Sequence, residues 1–159
     1  MLLMTRHIKK SVVSNSEEET LALGKKIGRA LMAGDMVFLS GDLGSGKTTI
    51  TRGICRGIGV DESIPIRSPS FTMIHEYDAP GLHVRHADLY RAEGDEELNS
   101  LGIFDPAYTG VTIIEWADRL ADDTLTPLLW IRMKDISDSV REISLTAPLE
   151  LFKKAGILP

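Results

Sequence analysis

The chain has little cysteine, few aromatic residues and no long apolar run. Its 159 residues include one cysteine, Cys55, and 6% aromatics. A lone cysteine cannot form an internal disulfide, and no apolar run approaches the ~18 residues that would indicate a membrane span. At the amino terminus, Arg6 and His7 follow a short apolar stretch instead of preceding it, so a secretory signal is not predicted. These absences predict a cytoplasmic protein with no membrane partner.

Basic charge is also scarce. The chain has 18 Lys and Arg against 23 Asp and Glu, and its formal net charge is −5. Nucleic-acid-binding surfaces are usually basic, whereas Lys9, Lys10, Arg52 and Arg56 are too scattered to indicate such a patch. Tight direct nucleic-acid binding is therefore not expected, and a protein partner is favoured. The length suits one core, so a single domain over residues 1–159 is predicted.

A glycine-rich loop follows the apolar stretch Met36–Ser40, which predicts a buried strand. Two glycines with four residues between them precede Lys47 and Thr48, and a helix is predicted from Lys47 to Gly57. Glycine permits the backbone conformations in which successive N–H groups surround an anion, and the helix amino terminus adds positive charge. The alternative is a glycine-rich turn that binds nothing, but such a turn would need neither Lys47 nor Thr48. The pattern predicts a phosphate site in which Lys47 reaches the β- and γ-phosphates and Thr48 binds Mg²⁺. Its residues are Gly41, Asp42, Leu43, Gly44, Ser45, Gly46, Lys47, Thr48 and Thr49.

Two carboxylates stand at the ends of predicted strands. Mg²⁺ at a phosphate loop usually needs a carboxylate at the end of an apolar strand, and Glu115 ends the apolar run that begins at Val111. A surface glutamate is the alternative. Asp88 could hold a Mg²⁺-bound water or orient the attacking water, or it could simply close its strand, and these interpretations stay open. His86 is expected to be a strand residue or a donor behind the site.

The other elements predict an α/β fold with a mixed sheet. Ser16 and Glu19 form a capping-box pattern that starts a helix. The turn 78–81 joins two strand-like runs as an antiparallel hairpin. The fold predicted is a single-domain P-loop NTPase whose mixed central sheet is flanked by helices. Predicted helices cover 17–33, 47–57, 93–101 and 149–155, with a helix or turn over 116–120, and predicted strands cover 9–14, 36–40, 71–77, 82–89, 111–115, 128–133 and 140–145.

The hydroxyl-rich segment 67–72 precedes the predicted hairpin. By composition it is only a turn before a strand. It lies, however, where nucleotide-binding proteins often keep a segment that becomes ordered around the γ-phosphate.

Four motifs in order give the chain a resemblance to the TsaE (YjeE) family, bacterial P-loop ATPases required to make threonylcarbamoyladenosine in tRNA. The resemblance spans about Ser16 to Leu120. Two departures are mild: Ser70 replaces the usual threonine and keeps its hydroxyl, and Ala87 replaces a larger apolar residue. The motifs are Gly41-Asp42-Leu43-Gly44-Ser45-Gly46-Lys47-Thr48-Thr49, Ser68-Pro69-Ser70-Phe71-Thr72 with Glu76-Tyr77, His86-Ala87-Asp88-Leu89-Tyr90-Arg91, and Ile113-Ile114-Glu115-Trp116.

The resemblance implies a weak ATPase that uses ATP and Mg²⁺ and works with TsaB-like and TsaD-like proteins. In such systems the TsaD protein transfers the threonylcarbamoyl group to adenosine 37 of tRNA, and the ATPase serves turnover of the assembly. By similarity, Thr48 and Glu115 are Mg²⁺ ligands, and Asp88 acts in hydrolysis with Lys47. The segment containing Ser68, Ser70 and Thr72 is then a nucleotide-sensing loop.

Three other functions fit parts of the pattern. Asp78 and Gly81 have the spacing of a GTPase switch, but the chain has no Asn-Lys-x-Asp element for reading guanine. A small-molecule or nucleoside kinase could use Asp88 as its base, although no arginine cluster follows Glu115. A nucleotide-dependent interaction module would bind the same ligand without requiring its hydrolysis.

Overall fold

The computed structural model describes residues 5–121 and 125–157, and statements about structure refer to these ranges. The rest of the predicted domain 1–159 lies outside the described residues. The strands are β1 His7–Ser14, β2 Met36–Gly41, β3 Ile74–Ala79, β4 Leu82–Asp88, β5 Val111–Glu115, β6 Leu129–Asp135 and β7 Arg141–Pro148. The helices are α1 Glu17–Ala30, α2 Lys47–Ile58, α3 Asp95–Ser100 and α4 Leu149–Ala155, with a 3₁₀ turn at Ala117–Arg119.

The described strands form one mixed seven-stranded sheet in the order β1-β7-β6-β2-β5-β4-β3. Its centre is parallel, because β2 pairs in parallel with both β5 and β6, and β5 pairs in parallel with β4. Both edges are antiparallel, with β3 on one side and β7 and β1 on the other. The predicted α/β class and mixed sheet are confirmed. Because parallel strands share a direction, the carboxyl ends of β2, β4 and β5 meet at one edge.

Successive side chains of the central strands alternate between two apolar layers. On β2, Val37 and Leu39 belong to the larger layer, which lies under α1, α2 and α4. Phe38 faces the other way, into a smaller layer that includes Ile114 and Leu98. Side chains on β4 and β5 that point toward α2 are therefore enclosed between the sheet and a helix.

The helices α1 and α2 pack with their backbones nearly in contact. A Cβ atom added at Gly28 would lie 2.1 Å from the Ile54 carbonyl oxygen, and one at Gly24 would lie 2.6 Å from the Ile50 oxygen. Glycines on α2 face the same contact, where a Cβ at Gly57 would lie 2.3 Å from a carbonyl oxygen of α1. The approach is possible only because these positions have no side chain.

Helix α1 begins as predicted but ends earlier. Ser16 Oγ accepts from the Glu19 N–H at 3.1 Å, and the Glu19 carboxylate accepts from the Asn15 N–H at 2.7 Å. The helix ends at Ala30, not Ala33. The Asp35 carboxylate accepts the Met32 N–H at 2.6 Å, and this local bond gives the chain an alternative to another helical turn.

The hairpin is confirmed, but its first strand is shorter at the start and its turn is tighter than predicted. Residues 71–73 are not in β3, because Met73 has a φ of 64° and donates its N–H to the Pro69 carbonyl. At the other end, Ala79 pairs with Leu82, so the turn has two residues rather than four. The Asp78 to Gly81 match to a GTPase switch is thus part of a β-hairpin.

Other predicted boundaries differ slightly. Helix α3 is shorter than the predicted 93–101 because its N-cap is Gly94, which has a φ of 139°. The final antiparallel pair is confirmed, and both strands extend further than predicted at their carboxyl ends. Strand β5 and helix α4 match their predicted bounds.

No helix in the described ranges has both the length and the apolar character needed to span a membrane.

Candidate nucleotide site

The glycine-rich loop connects the carboxyl end of β2 to the amino terminus of α2. Gly44 and Gly46 have φ values of 77° and 100°, in the left-handed region that favours glycine. Gly46 is the N-cap of α2 and has no side chain to occupy the N–H groups of the first turn. Those N–H groups and the helix dipole are the elements of an anion site.

Gly41 allows the loop to pack closely against the neighbouring strand where it leaves β2. Its φ is 151°, and an added Cβ would lie 2.6 Å from the Met133 carbonyl oxygen of β6 and 2.7 Å from Ser45 Oγ. The loop is thus held against the neighbouring strand by a contact that a side chain at Gly41 would break.

Lys47 folds back into the loop. Its Nζ donates to the carbonyl oxygens of Gly41 at 2.6 Å and Asp42 at 2.8 Å. The ammonium also lies 4.2 Å from the ring centroid of Trp116. Burial lowers the pKa of Lys47, and the nearby carboxylates, Glu115 and Asp88 first, oppose that shift. A concentrated positive charge thus stands inside the loop, with acceptors that a phosphate could replace.

Glu115 reaches the loop from the end of β5. It pairs in register with Leu39, so its side chain emerges beside the loop and under α2. Its Oε2 accepts from the Thr48 hydroxyl at 3.3 Å, and its Oε1 accepts from His86 Nε2 at 2.8 Å. Only 2% of its surface is exposed.

Oxygen donors of this kind suit a hard divalent cation. Mg²⁺ is usually held by one or two protein oxygens together with ligand phosphates and water. The Thr48 hydroxyl and the Glu115 carboxylate have that character and are adjacent. Across residues 5–121 and 125–157 no group of three or more His, Cys, Asp or Glu has a metal-binding arrangement, so a cage made of protein ligands alone is not seen there.

Asp88 ends β4 directly beside Glu115, its register partner on β5. One oxygen accepts the hydroxyl of Ser68, and the other accepts the Tyr90 N–H at 2.9 Å. Its own N–H donates to the Met73 carbonyl at 2.9 Å. Asp88 therefore closes its strand, as one interpretation held, and also connects the loop 68–73 to the site.

These side chains surround one cavity of about 330 Å³. Ser70 and Thr72 are not among its lining residues, and the Thr72 hydroxyl donates instead to the Ile74 carbonyl at 3.3 Å. Their assignment to nucleotide sensing stays a prediction. The lining residues are Leu43, Gly44, Gly46, Lys47, Thr48, Thr49, Ser68, Asp88, Glu115 and Trp116.

A second cavity lies against the other side of the loop and shares Gly46 and Thr49 with the first. Its volume is about 290 Å³, and its other walls are the start of α1 and the β6–β7 connection. Arg141 borders it, donating to the Gly44 carbonyl at 3.3 Å and pairing with Asp135 at 3.0 Å. The loop therefore separates two cavities of similar size.

Sequence reasoning missed two features of the site. Trp116 packs against the smaller apolar layer and also lines the cavity, with a φ of 58°, a strained conformation that costs about 1–3 kcal/mol for a residue other than glycine. Thr51, one helical turn after Lys47, lies 3.3 Å from Glu115 Oε1. The spacing of α2 could have revealed Thr51, whereas nothing local indicates the backbone of Trp116.

The fold and the loop geometry define a P-loop, NTPase-like α/β protein. A family model described as "Threonylcarbamoyl adenosine biosynthesis protein TsaE" matches residues 14–143. The chain therefore belongs to the TsaE family, whose role is in tRNA threonylcarbamoyladenosine biosynthesis.

Curated relatives and a solved structure agree with this assignment. A "tRNA threonylcarbamoyladenosine biosynthesis protein TsaE" from Bacillus subtilis is 38% identical over 131 residues, covering 82% of this chain and 80% of the relative. The protein of the same name from Haemophilus influenzae is 38% identical over 144 residues, covering 86% and 89%. The crystal structure of Bacillus subtilis YdiB matches with a TM-score of 0.68 and 33% identity, covering 98% of this chain and 95% of that chain.

Proposed function

We propose that the protein binds and slowly hydrolyses Mg-ATP in support of the complex that transfers threonylcarbamoyl to adenosine 37 of tRNA. The observation that carries the proposal is the meeting of Lys47, Thr48, Asp88 and Glu115 around one cavity at the amino terminus of α2. This set combines a phosphate-binding charge, two oxygen donors for a cation and a carboxylate for positioning water.

Lys47 is proposed to exchange its bonds to the Gly41 and Asp42 carbonyls for phosphate oxygens. Burial lowers the pKa of Lys47, and the negative phosphate oxygens would stabilise its charged form. Thr48 and Glu115 are proposed to hold Mg²⁺, which when bound would offset the negative charge of the phosphates. Asp88, which lies beside Glu115 and lines the same cavity, is proposed to orient the attacking water.

The nucleoside is proposed to occupy the second cavity. A phosphate chain on the loop has the carboxylates on one side, where the γ-phosphate would be cleaved. The base and ribose then extend to the other side, toward Thr49 and Arg141. Arg141 belongs to the β6–β7 region and contacts the loop, so a ligand bound there would be sensed by the loop itself.

The proposed partners are TsaB-like and TsaD-like proteins together with ATP and ADP. The support is family membership, because the relatives are named for the biosynthesis of the same tRNA modification. The net charge of −5 favours a protein partner over tight direct contact with tRNA. The cytoplasmic location predicted from composition stays a prediction.

The test is calorimetric titration of Lys47→Ala with Mg-ATP. A hydrogen bond to a charged group contributes roughly 1.5–3 kcal/mol, so the affinity should fall by about 10- to 100-fold. The fold should persist, because the Lys47 ammonium is bonded to loop carbonyls and its side chain belongs to neither apolar layer. Lys26→Ala, on the exposed side of α1, is the matched control and should bind normally.

Competition between ATP and GTP completes this test. ATP should be preferred, since the guanine-reading element is missing from the sequence. Unchanged ATP affinity in Lys47→Ala would remove the phosphate site, and a clear GTP preference would restore the GTPase interpretation.

A further inference from the structure

His86 shares a sheet face with the two carboxylates of the site. On β4, His86 and Asp88 are two residues apart and therefore point the same way, toward α2. The parallel pairing sets His86 beside Ile113 and Asp88 beside Glu115, so the imidazole lies diagonally next to the Glu115 side chain. Both side chains are buried, with exposures of 0% for His86 and 2% for Glu115, and of the two only Glu115 lines the cavity.

The two oxygens of Glu115 have different surroundings. Oε1 accepts from His86 Nε2 at 2.8 Å, and Oε2 faces the Thr48 hydroxyl at 3.3 Å. Thr51 also approaches Oε1, at 3.3 Å. Its hydroxyl has a single proton, however, and lies closer to the Lys47 carbonyl, at 2.8 Å. His86 is thus the principal donor to Oε1, while Oε2 is directed to the phosphate loop.

The hydrogen bond to Glu115 identifies the donor nitrogen of His86. A carboxylate oxygen only accepts, so Nε2 must carry a proton. Nδ1 is buried and has no hydrogen-bond partner among the described residues. The Nε2–H is therefore the donor that His86 offers to Glu115. An imidazole with one nitrogen unsatisfied contributes less to stability than an apolar side chain of its size could, which points to a purpose in holding Glu115.

We propose that His86 is a positioning residue that holds Oε1 of Glu115, so that Oε2 alone is presented to the Mg²⁺ beside Thr48. The proposal rests on the proposed function, since it concerns the Mg²⁺ of the nucleotide complex. His86 is not among the residues that line the cavity, so it would act only through Glu115. Loss of a hydrogen-bond partner behind a metal ligand typically costs 10- to 100-fold in metal affinity.

The test compares three variants of His86 that differ in whether and where they offer an N–H donor, together with one variant of Thr51. In His86→Gln the amide nitrogen occupies nearly the place of Nε2 and can still donate to Oε1. In His86→Asn the amide nitrogen corresponds to Nδ1 and is too short to reach, and His86→Leu has no donor. Thr51→Val removes the secondary contact with little change in volume.

The measurement is the affinity for ATP in EDTA and across a Mg²⁺ titration, which separates binding of the phosphates from binding of the cation. We expect the Mg²⁺ concentration that gives half of the increase in ATP affinity to rise about 10-fold or more in the Asn and Leu variants. The Gln variant should stay within about threefold of wild type, and Thr51→Val should show a small change. Affinity in EDTA should be the same in all of them.

Each outcome decides the proposal. Equal Mg²⁺ requirements in wild type, Gln and Asn would overturn it, and so would an equal loss in Gln and Asn, which would mean that His86 supports the fold only. The Gln and Asn pair keeps the comparison valid if the Leu variant does not fold. If the ATP affinity of the wild type does not depend on Mg²⁺, both this proposal and the metal site of the proposed function are overturned. If the wild type depends on Mg²⁺ and the His86 variants need the same Mg²⁺ concentration, this proposal alone is overturned.

Discussion

At the scale of single residues, the two carboxylates of the site have different attachments. Glu115 is enclosed between the sheet and α2 and contacts Thr48 and His86. Asp88 contacts Ser68 and the backbone of Tyr90, so it is joined to the loop that precedes the hairpin. Glu115 is therefore suited to hold a cation in one place, and Asp88 is suited to respond when that loop changes.

Glu115→Ala and Asp88→Ala should lower the rate of ATP hydrolysis more than they lower ATP affinity. Lys47 would contact phosphate in every bound state, whereas Asp88, and Glu115 beyond its share in binding Mg²⁺, would act mainly as the γ-phosphate departs. Removing one such group commonly costs on the order of 10²-fold or more in rate. Steady-state ATPase beside calorimetric affinity measures the two effects separately.

Glu76→Ala, a carboxylate of the same hairpin that is exposed and lies outside the cavity, is the control for that experiment. Near-normal turnover in Asp88→Ala would reduce Asp88 to closing its strand. The same result for Glu115→Ala would mean that another carboxylate serves the metal.

At the scale of elements, the position of the phosphate loop depends on how α2 packs on α1. Helix α2 begins with the loop lysine, and its glycines meet those of α1. Helix α1 contributes Ser16, Glu17 and Thr20 to the second cavity at its amino-terminal end. The close packing of α1 on α2 therefore fixes the position of the phosphate loop. The same pair of helices borders the proposed nucleoside site.

Gly28→Ala should destabilise the protein. In an ordinary helix interior this change stabilises by about 0.5–1 kcal/mol. Here the new Cβ would lie 2.1 Å from the Ile54 carbonyl oxygen, so the two backbones must separate. Overpacking of this kind typically costs about 1–3 kcal/mol. Urea unfolding gives the free energy directly.

Arg29→Ala, at the exposed position next along α1, is the control and should change stability little. A more stable Gly28→Ala variant would mean that the helices can move apart freely, contrary to the packing seen.

At the scale of the whole molecule, the parallel centre of the sheet brings distant segments to one edge. Residues 41–48, 86–88 and 115–116 come from three different strand ends and meet because β2, β5 and β4 are neighbours running the same way. The loop 68–73 joins this edge through Asp88. The loop also carries Phe71, which is 81% exposed. The Cζ atom of the Arg91 guanidinium lies 4.7 Å from the centroid of the Phe71 ring.

Association with TsaB-like and TsaD-like proteins should depend on nucleotide. The loop that carries Phe71 is bonded to Asp88 through Ser68, so we expect a change at the proposed γ-phosphate side of the cavity to alter this exposed surface. A ligand shifts such an equilibrium only through different affinities for its states. Co-purification with ATP, with ADP and without nucleotide measures this dependence, and ATP should give the largest yield of complex.

Lys47→Ala should give the yield of the nucleotide-free protein under all three conditions when the nucleotide concentration is just enough to saturate the wild type, because its affinity is about 10- to 100-fold weaker. Equal yields for the wild-type chain with and without ATP would contradict the coupling.

Much of the site was predictable from the sequence because its chemistry is local. The loop between Gly41 and Thr48 needs glycine, lysine and threonine at fixed spacing, and the apolar run before Glu115 predicts a buried strand with a carboxylate at its end. The capping pattern at Ser16 and the hairpin turn are likewise determined by bonds between near neighbours. The amino-acid order alone therefore determined the α/β class, the phosphate loop and the candidate cation ligands.

Only the tertiary structure decided the contacts between segments far apart in the chain. His86 and Glu115 are 29 residues apart, and their bond exists because β4 and β5 are paired in one particular register. The strained backbone of Trp116 and the contact of α1 with α2 depend in the same way on neighbours that local propensity does not specify. Strand order and register are properties of the assembled sheet, so the surroundings that tune each site residue follow from packing and not from sequence pattern.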